Sequence, residues 1–137
     1  MAKNKRKRRP RLPSLRSLRL GNHKMWSLIV RALWPICTIC CLKPSEQAHH
    51  LLNKFHFGAY RFTPKNGRGV CASCHLRIHG SPVLQTLALD PETTEMLLRM
   101  FREYRPVKWN RIHLTLVRAG LEAMYATLYA HKKEVAA

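Results

Sequence analysis

Two Cys-x2-Cys knuckles, Cys37–Cys40 and Cys71–Cys74, constrain this chain more than any other feature of its sequence. Each short step brings two thiolates to one side of a tight turn, and two such turns supply the four sulfurs of a tetrahedral structural zinc site. A tetrathiolate site has no open position, so it staples a fold together and catalyses nothing. Free buried thiols are the competing reading. The fifth cysteine, Cys41, is spare and could replace Cys40 only in a poorer register. An odd count in two tight clusters argues against a secreted disulfide framework and for metal binding in a reducing compartment. A cytoplasmic location is therefore expected. The 30 residues between Cys40 and Cys71 exceed what a plain zinc ribbon needs, so something is inserted between the knuckles.

Charge narrows the partner. Across 137 residues, 25 Lys+Arg face 7 Asp+Glu, a formal net charge of +18, while 46% hydrophobic residues indicate a globular chain with room for one domain. A cation of that size calls for a polyanion, with nucleic acid first and an anionic membrane surface the lesser option. The only carboxylate before Asp90 is Glu46. The first two-thirds of the chain therefore cannot assemble the acidic cluster of a two-metal phosphoryl-transfer site, or a glycosidase pair. Lys5, Arg6, Lys7, Arg8 and Arg9, followed by Pro10 and Pro13, describe a disordered basic arm over 1–14 suited to DNA phosphates. The apolar run Met25–Leu42 is interrupted by Arg31 and Pro35, which argues against a membrane span. The Arg/Ser/Leu composition of Arg11–Leu20 leaves a transit peptide as the minor alternative.

The remaining segments read as a helix over 15–35, a cysteine- and histidine-rich core over 36–82, and a helical shell over 83–137. In the first, Asn22 is the expected N-cap and Trp26, Ile29, Val30, Leu33 and Trp34 form one apolar stripe ended by Pro35. In the core, Ala48–Leu52 and Gly67–Cys71 are candidate strands joined by a loop over Asn53–Asn66. A short helix begins near Ala72 and ends at Gly80-Ser81-Pro82. Asp90-Pro91-Glu92 starts a helix with Leu97, Met100, Phe101 and Tyr104 on one face. Arg111–His131 is a last helix, in which Gly120 costs stability or lets another helix approach. The fold class expected is α+β: a small zinc-stapled, treble-clef-like core surrounded by helices.

The histidines carry the chemistry. His49 and His50 are adjacent on a candidate strand, so alternation sends them to opposite sides. His75 follows the last cysteine and His79 lies four residues on, a spacing that stacks both imidazoles over one cation. Asn66 could brace a histidine from the loop, and Lys54, Arg61, Lys65 and Arg68 flank that loop where phosphates would lie. Taken singly, each histidine reads as packing or a helix-end residue; the combination in this order points to a metal site.

The order CxxC, AHH, Asn-Gly turn, CxxCHxxxH over Cys37–His79 resembles the HNH (ββα-metal) endonucleases. AHHLLNKFHFGAYRFTPKNGRGVCASCHLRIHG is similar to the cysteine-bearing phage-type members, among them the lambda NinG (Rap) recombination nucleases. The resemblance implies a ββα-metal core and hydrolysis of DNA to 5′-phosphate and 3′-hydroxyl ends. It places His50 at the general base, His49, His75 and His79 at one catalytic cation, and Asn66 at the residue orienting the base. The family often has Asp where this chain has His49. An all-histidine site suits Zn, Ni or Co better than Mg, with Mn also a candidate. A single site that cuts both strands suggests a homodimer. The alternative is a non-catalytic zinc-finger protein that binds nucleic acid.

Overall fold

A computed structural model describes residues 11–87 and 89–136. Among the described residues five α-helices and two strands follow in the order α1 Leu15–Leu33, β1 Gln47–His50, β2 Gly67–Val70, α2 Ala72–Gly80, α3 Pro82–Leu87, α4 Pro91–Glu103 and α5 Arg111–Ala136, with 3-10 turns at Gly58–Tyr60 and Pro64–Asn66 between the strands. The architecture is α+β, with a two-stranded antiparallel sheet among helices.

Helix α1 starts two turns earlier than its apolar stripe suggests. Ser14 caps it, its hydroxyl accepting from the Ser17 amide at 3.0 Å. Asn22 is not a cap: it is buried within α1, where its Nδ2 donates to the Leu114 carbonyl of α5 at 2.8 Å. A polar residue ahead of an apolar run looks like a cap locally, and here a tertiary hydrogen bond claims it instead. Lys5, Arg6, Lys7, Arg8 and Arg9 lie outside the described residues, while Arg11–Ser14 are irregular and exposed.

The first and last helices form one layer. Trp26, Ile29, Val30, Leu114 and Leu121 pack together with Phe62 from the loop, and Val117, Tyr125 and Leu128 flank them. Burying a side chain such as Ile29 or Leu114 contributes about 1.5–3 kcal/mol. Of the stripe expected on α1, Trp26, Ile29 and Val30 lie in this core, while Leu33 and Trp34 are exposed. Gly120 does not admit a neighbouring helix, since a Cβ there would meet nothing within 4 Å. Helix α5 also continues to Ala136, beyond the expected end.

Strands β1 and β2 pair Gln47 with Val70, Ala48 with Gly69, His49 with Arg68 and His50 with Gly67. Each is four residues long, slightly shorter than its alternating pattern suggested. The sheet lies flush against α1, because a Cβ at Gly67 would collide with Val30 and Trp26, and one at Gly69 with the Trp34 carbonyl and Ser45. Alternation turns Arg68 to the other face. There its guanidinium lies 4.3 Å from the Trp34 ring and donates to Thr93 Oγ1 at 2.6 Å and the Gly67 carbonyl at 2.9 Å. Arg68, expected to meet phosphate, is thus buried and ties β2 to the start of α4.

The loop between the strands is held by side chains. Trp26 Nε1 donates to the Thr63 carbonyl at 3.0 Å, Trp109 Nε1 to Gly58 at 3.1 Å, and Tyr60 Oη to Met100 at 2.8 Å. Phe57, Phe101, Tyr60 and Tyr104 close an aromatic contact between loop and α4. Asp90 caps α4 as its sequence indicates, its carboxylate accepting from the Thr93 amide at 2.8 Å. Helix α3 falls in the segment expected to be helical, where the sequence delimits no separate helix. Among the described residues, no helix is long and apolar enough to cross a membrane.

Candidate functional site

The cysteines converge first. An isolated bridge between Ile36 and Pro44, with the Cys37 amide donating to Lys43 at 2.8 Å, folds the first knuckle into a tight turn. The second knuckle opens α2, with Cys71 at the cap position and the Ala72 amide donating to the Glu46 carboxylate at 2.8 Å. The sulfurs of Cys37, Cys40, Cys71 and Cys74 lie within 4.8 Å of one another. A tetrahedral zinc with bonds of about 2.3 Å sets its sulfurs about 3.8 Å apart, so slight closure suits one ion. The Ser73 hydroxyl and the Cys74 amide hold the Cys71 thiol down at about 6. Burial and the neighbouring sulfurs push Cys74 up to about 12, so a cation is what would ionise the fourth thiol. Cys40, half-buried, belongs to the cluster; Cys41 is exposed, with a left-handed φ of 53° that ends the turn. The four cysteines could therefore hold a structural zinc.

The sheet separates the adjacent histidines as alternation requires. On the α2 side, His49 meets His75 and His79 with ring centroids 5.3 and 5.4 Å away. One ring nitrogen from each lies within 4.8 Å of the others, and the Nε2 atoms of His75 and His79 are 3.1 Å apart. A tetrahedral ion with bonds of about 2.0–2.1 Å spaces its nitrogens about 3.3 Å apart, so this donor set fits one borderline divalent cation. His75 Nδ1 bonds the Gln47 side-chain oxygen, which places its proton on Nδ1 and leaves the Nε2 lone pair for a metal. Burial, with His75 and His79 nearby, lowers His49 to about 4, and burial lowers His75 as well. Neutral imidazole is the form that ligates.

On the α1 side, His50 stacks on Trp26 with centroids 3.8 Å apart and planes 11° from parallel. Its Nε2 lies 2.9 Å from the Arg61 carbonyl oxygen. A carbonyl can only accept, so Nε2 carries the proton and Nδ1 keeps its lone pair. Burial lowers His50 to about 4 against the opposing effect of that hydrogen bond, so the ring is neutral at pH 7. Asn66 does not touch His50. Fully buried, it accepts from the Leu52 amide at 2.7 Å and donates to the Leu52 and Tyr60 carbonyls at 3.0 and 3.3 Å. It clasps the two ends of the loop whose Arg61 carbonyl orients His50.

An open cleft of about 270 Å³ joins these groups, with His49, His50, His75 and His79 in its wall beside Lys54 and His23. Lys54 is therefore where a phosphate contact would need it. Lys65 is exposed and lines a different hollow, against α4. The Arg61 guanidinium lies over the Phe62 ring at 5.3 Å, its proton affinity lowered by burial and by Arg19. The residues missed in the sequence are His23 and Gln47. Gln47 was legible, since it shares a strand face with His49 two residues on. His23 was legible only through its position three residues before Trp26 on a helix, next to a partner that only the fold supplies. Compared with protein-family models, curated proteins and solved structures, the chain matches none of them.

Proposed function

We propose that this chain is a metal-dependent, HNH-like endonuclease that hydrolyses DNA phosphodiester bonds to 5′-phosphate and 3′-hydroxyl ends. One observation carries the reading. A neutral histidine with a fixed tautomer, His50, faces the same cleft as a three-imidazole cluster, although the two lie on opposite faces of one strand. A zinc-binding fold alone has no use for that arrangement.

His49, His75 and His79 would hold one divalent cation, which when bound supplies Lewis-acid stabilisation of charge on a phosphate oxygen and the leaving oxygen. The protein's own groups do the rest. His50 Nδ1 takes the proton of the attacking water, and the Arg61 carbonyl, accepting from Nε2–H, stabilises the imidazolium that forms. Trp26 fixes the ring plane and presents its π face to that cation. A phosphodiester anion in the cleft raises the proton affinity that burial lowers. Glu46, the only acid before Asp90, is committed to capping α2, which leaves the site without carboxylates for a second metal. Lys54 and the basic residues from Lys5 to Arg9 supply phosphate contacts.

The test is cleavage of supercoiled plasmid and branched DNA by protein stripped of its histidine-bound metal, with Mg, Mn, Ni, Co or Zn added back. Metal-dependent nicking that disappears in His50→Ala, with DNA binding intact, is the expected result. Tight, salt-sensitive binding without cleavage under any condition would overturn it in favour of a zinc-finger binding module.

A further inference from the structure

Neither the metal ligands nor the base explains a group of basic side chains gathered on α1 and the loop. Arg19, His23 and Trp26 follow at spacings of four and three, which puts them along one face of α1. Trp26 lies against His50, and the His23 ring is stacked 5.4 Å from Trp26 and 5.6 Å from His50. Arg19 is one turn nearer the helix N-terminus, and its charge acts on Arg61. Lys54 lines the cleft with His23 and His50.

No acid answers this charge. The ion pairs among the described residues are Arg99–Glu95 on α4 and Arg118–Glu122 on α5. Three nitrogens of the group, Arg19 Nε, His23 Nδ1 and Arg61 Nε, are buried and bond nothing. Elsewhere among the described residues the same is true only of Asn22 Oδ1 and Ser45 Oγ. A buried polar atom without a partner is costly, so native folds keep few of them and seldom in a cluster. Basic nitrogens, partly desolvated and lacking a carboxylate, are complementary to an oxyanion.

We propose that Arg19, His23, Lys54 and Arg61 form a phosphate-binding subsite beside His50, half of it supplied by α1. The identity of its ligand as a phosphodiester of a nucleic-acid strand rests on the proposed function; the recognition of phosphate does not. Helix α1 is then part of the site as well as its support. Its Arg19 and His23 place an anion on the side of His50 away from His49.

Inorganic phosphate tests this directly, titrated into the full chain carrying structural zinc and no other added metal, with imidazole signals followed by NMR. The His23 and His50 signals shift saturably. Arg19→Gln and Arg61→Gln each weaken half-saturation about tenfold, as loss of a charged hydrogen bond implies. Arg19→Lys retains most of the binding, and Lys132→Gln, an equal charge change at an exposed site on α5, leaves it unaltered. Arg19→Gln melts no lower than wild type, because it removes a repulsion with Arg61; a merely structural arginine would melt lower. Absence of a saturable shift in wild type, or equal binding by Arg19→Gln and Lys132→Gln, overturns the subsite. Phosphate binding of this kind without DNA cleavage keeps the subsite and discards the nuclease. Cleavage that is indifferent to Arg19→Gln and Arg61→Gln does the reverse.

Discussion

Asn66→Ala isolates the clasp on which the orientation of His50 depends. The carboxamide makes three hydrogen bonds at a position with no solvent exposure: one from the Leu52 amide, two to the Leu52 and Tyr60 carbonyls. At about 1 kcal/mol net per bond, with an added penalty for stranded backbone groups partly relieved by an entering water, the loss is about 3 kcal/mol. For a domain of this size that lowers Tm by about 10 °C and leaves a folded protein with a smaller margin. Thermal and urea unfolding of the zinc-loaded chain measure the loss. The NMR signal of the His50 Nε2 proton, held by Arg61, reports whether the loop has slackened. Asn66→Asp sharpens the test. Its carboxylate still accepts from Leu52 but faces two carbonyl oxygens, so its folded pKa lies above the unfolded value. Relative to wild type, that variant is most stable at low pH and loses stability as pH rises through the folded pKa. A cost below about 1 kcal/mol for Asn66→Ala, or an Asn66→Asp difference independent of pH, would refute the clasp.

Other perturbations have equally definite outcomes. His50 falls from 6.5 to about 4 on folding, so its contribution is complete above pH 6.5 and lost as pH falls toward 4. At about 1.4 kcal/mol per unit the loss approaches about 3 kcal/mol, and urea midpoints of His50→Phe decline correspondingly less than those of wild type over that range. Cys74→Ser removes one of four converging sulfurs. It abolishes the thiolate-to-metal absorption of a cobalt-substituted protein and loosens Cys37–Gly80, while circular dichroism retains the helicity of the α1–α5 pair. Gly69→Ala drives a Cβ into the Trp34 carbonyl and Ser45, costing about 1–3 kcal/mol in unfolding experiments. Gly120→Ala meets nothing within 4 Å and stabilises α5 by about 1 kcal/mol by the same measure.

What the sequence disclosed was local. Cysteine spacing identified both knuckles, strand alternation divided His49 from His50, and the i, i+4 relation joined His75 to His79. Each follows from a period of the backbone and needs no knowledge of the fold. The misreadings at Asn22 and Arg68 and the omission of His23 share another cause. Asn22 resembles a cap until Leu114 arrives from α5, Arg68 looks like loop charge until Trp34 and Thr93 enclose it, and His23 looks peripheral until His50 stacks against it. Their roles come from partners 25 or more residues distant, and no short-range pattern encodes such a meeting. Arg68 also shows that charge in a sequence is not charge on a surface.

The arrangement of the site depends on a sheet too small to hold itself. A two-stranded ribbon with four residues a strand is marginal in water, and its side-chain period is two. A slip of one residue would therefore exchange the faces of His49 and His50, parting His49 from His75 and His79 and His50 from the Arg61 carbonyl. Register is fixed from outside the strands. The Glu46 amide donates to Val70 and the Thr38 amide to Gly69, each at 3.0 Å, which ties the pairing to the first knuckle. Gly67 and Gly69 fit the sheet against Val30 and Trp26 of α1 and Trp34 just beyond its end, where no other residue in those positions would fit. The cysteine cluster on one side and α1 on the other therefore act on one degree of freedom, the register that assigns each histidine to its face. A structural ion at the cysteines thus bears on the histidine site without taking part in its chemistry.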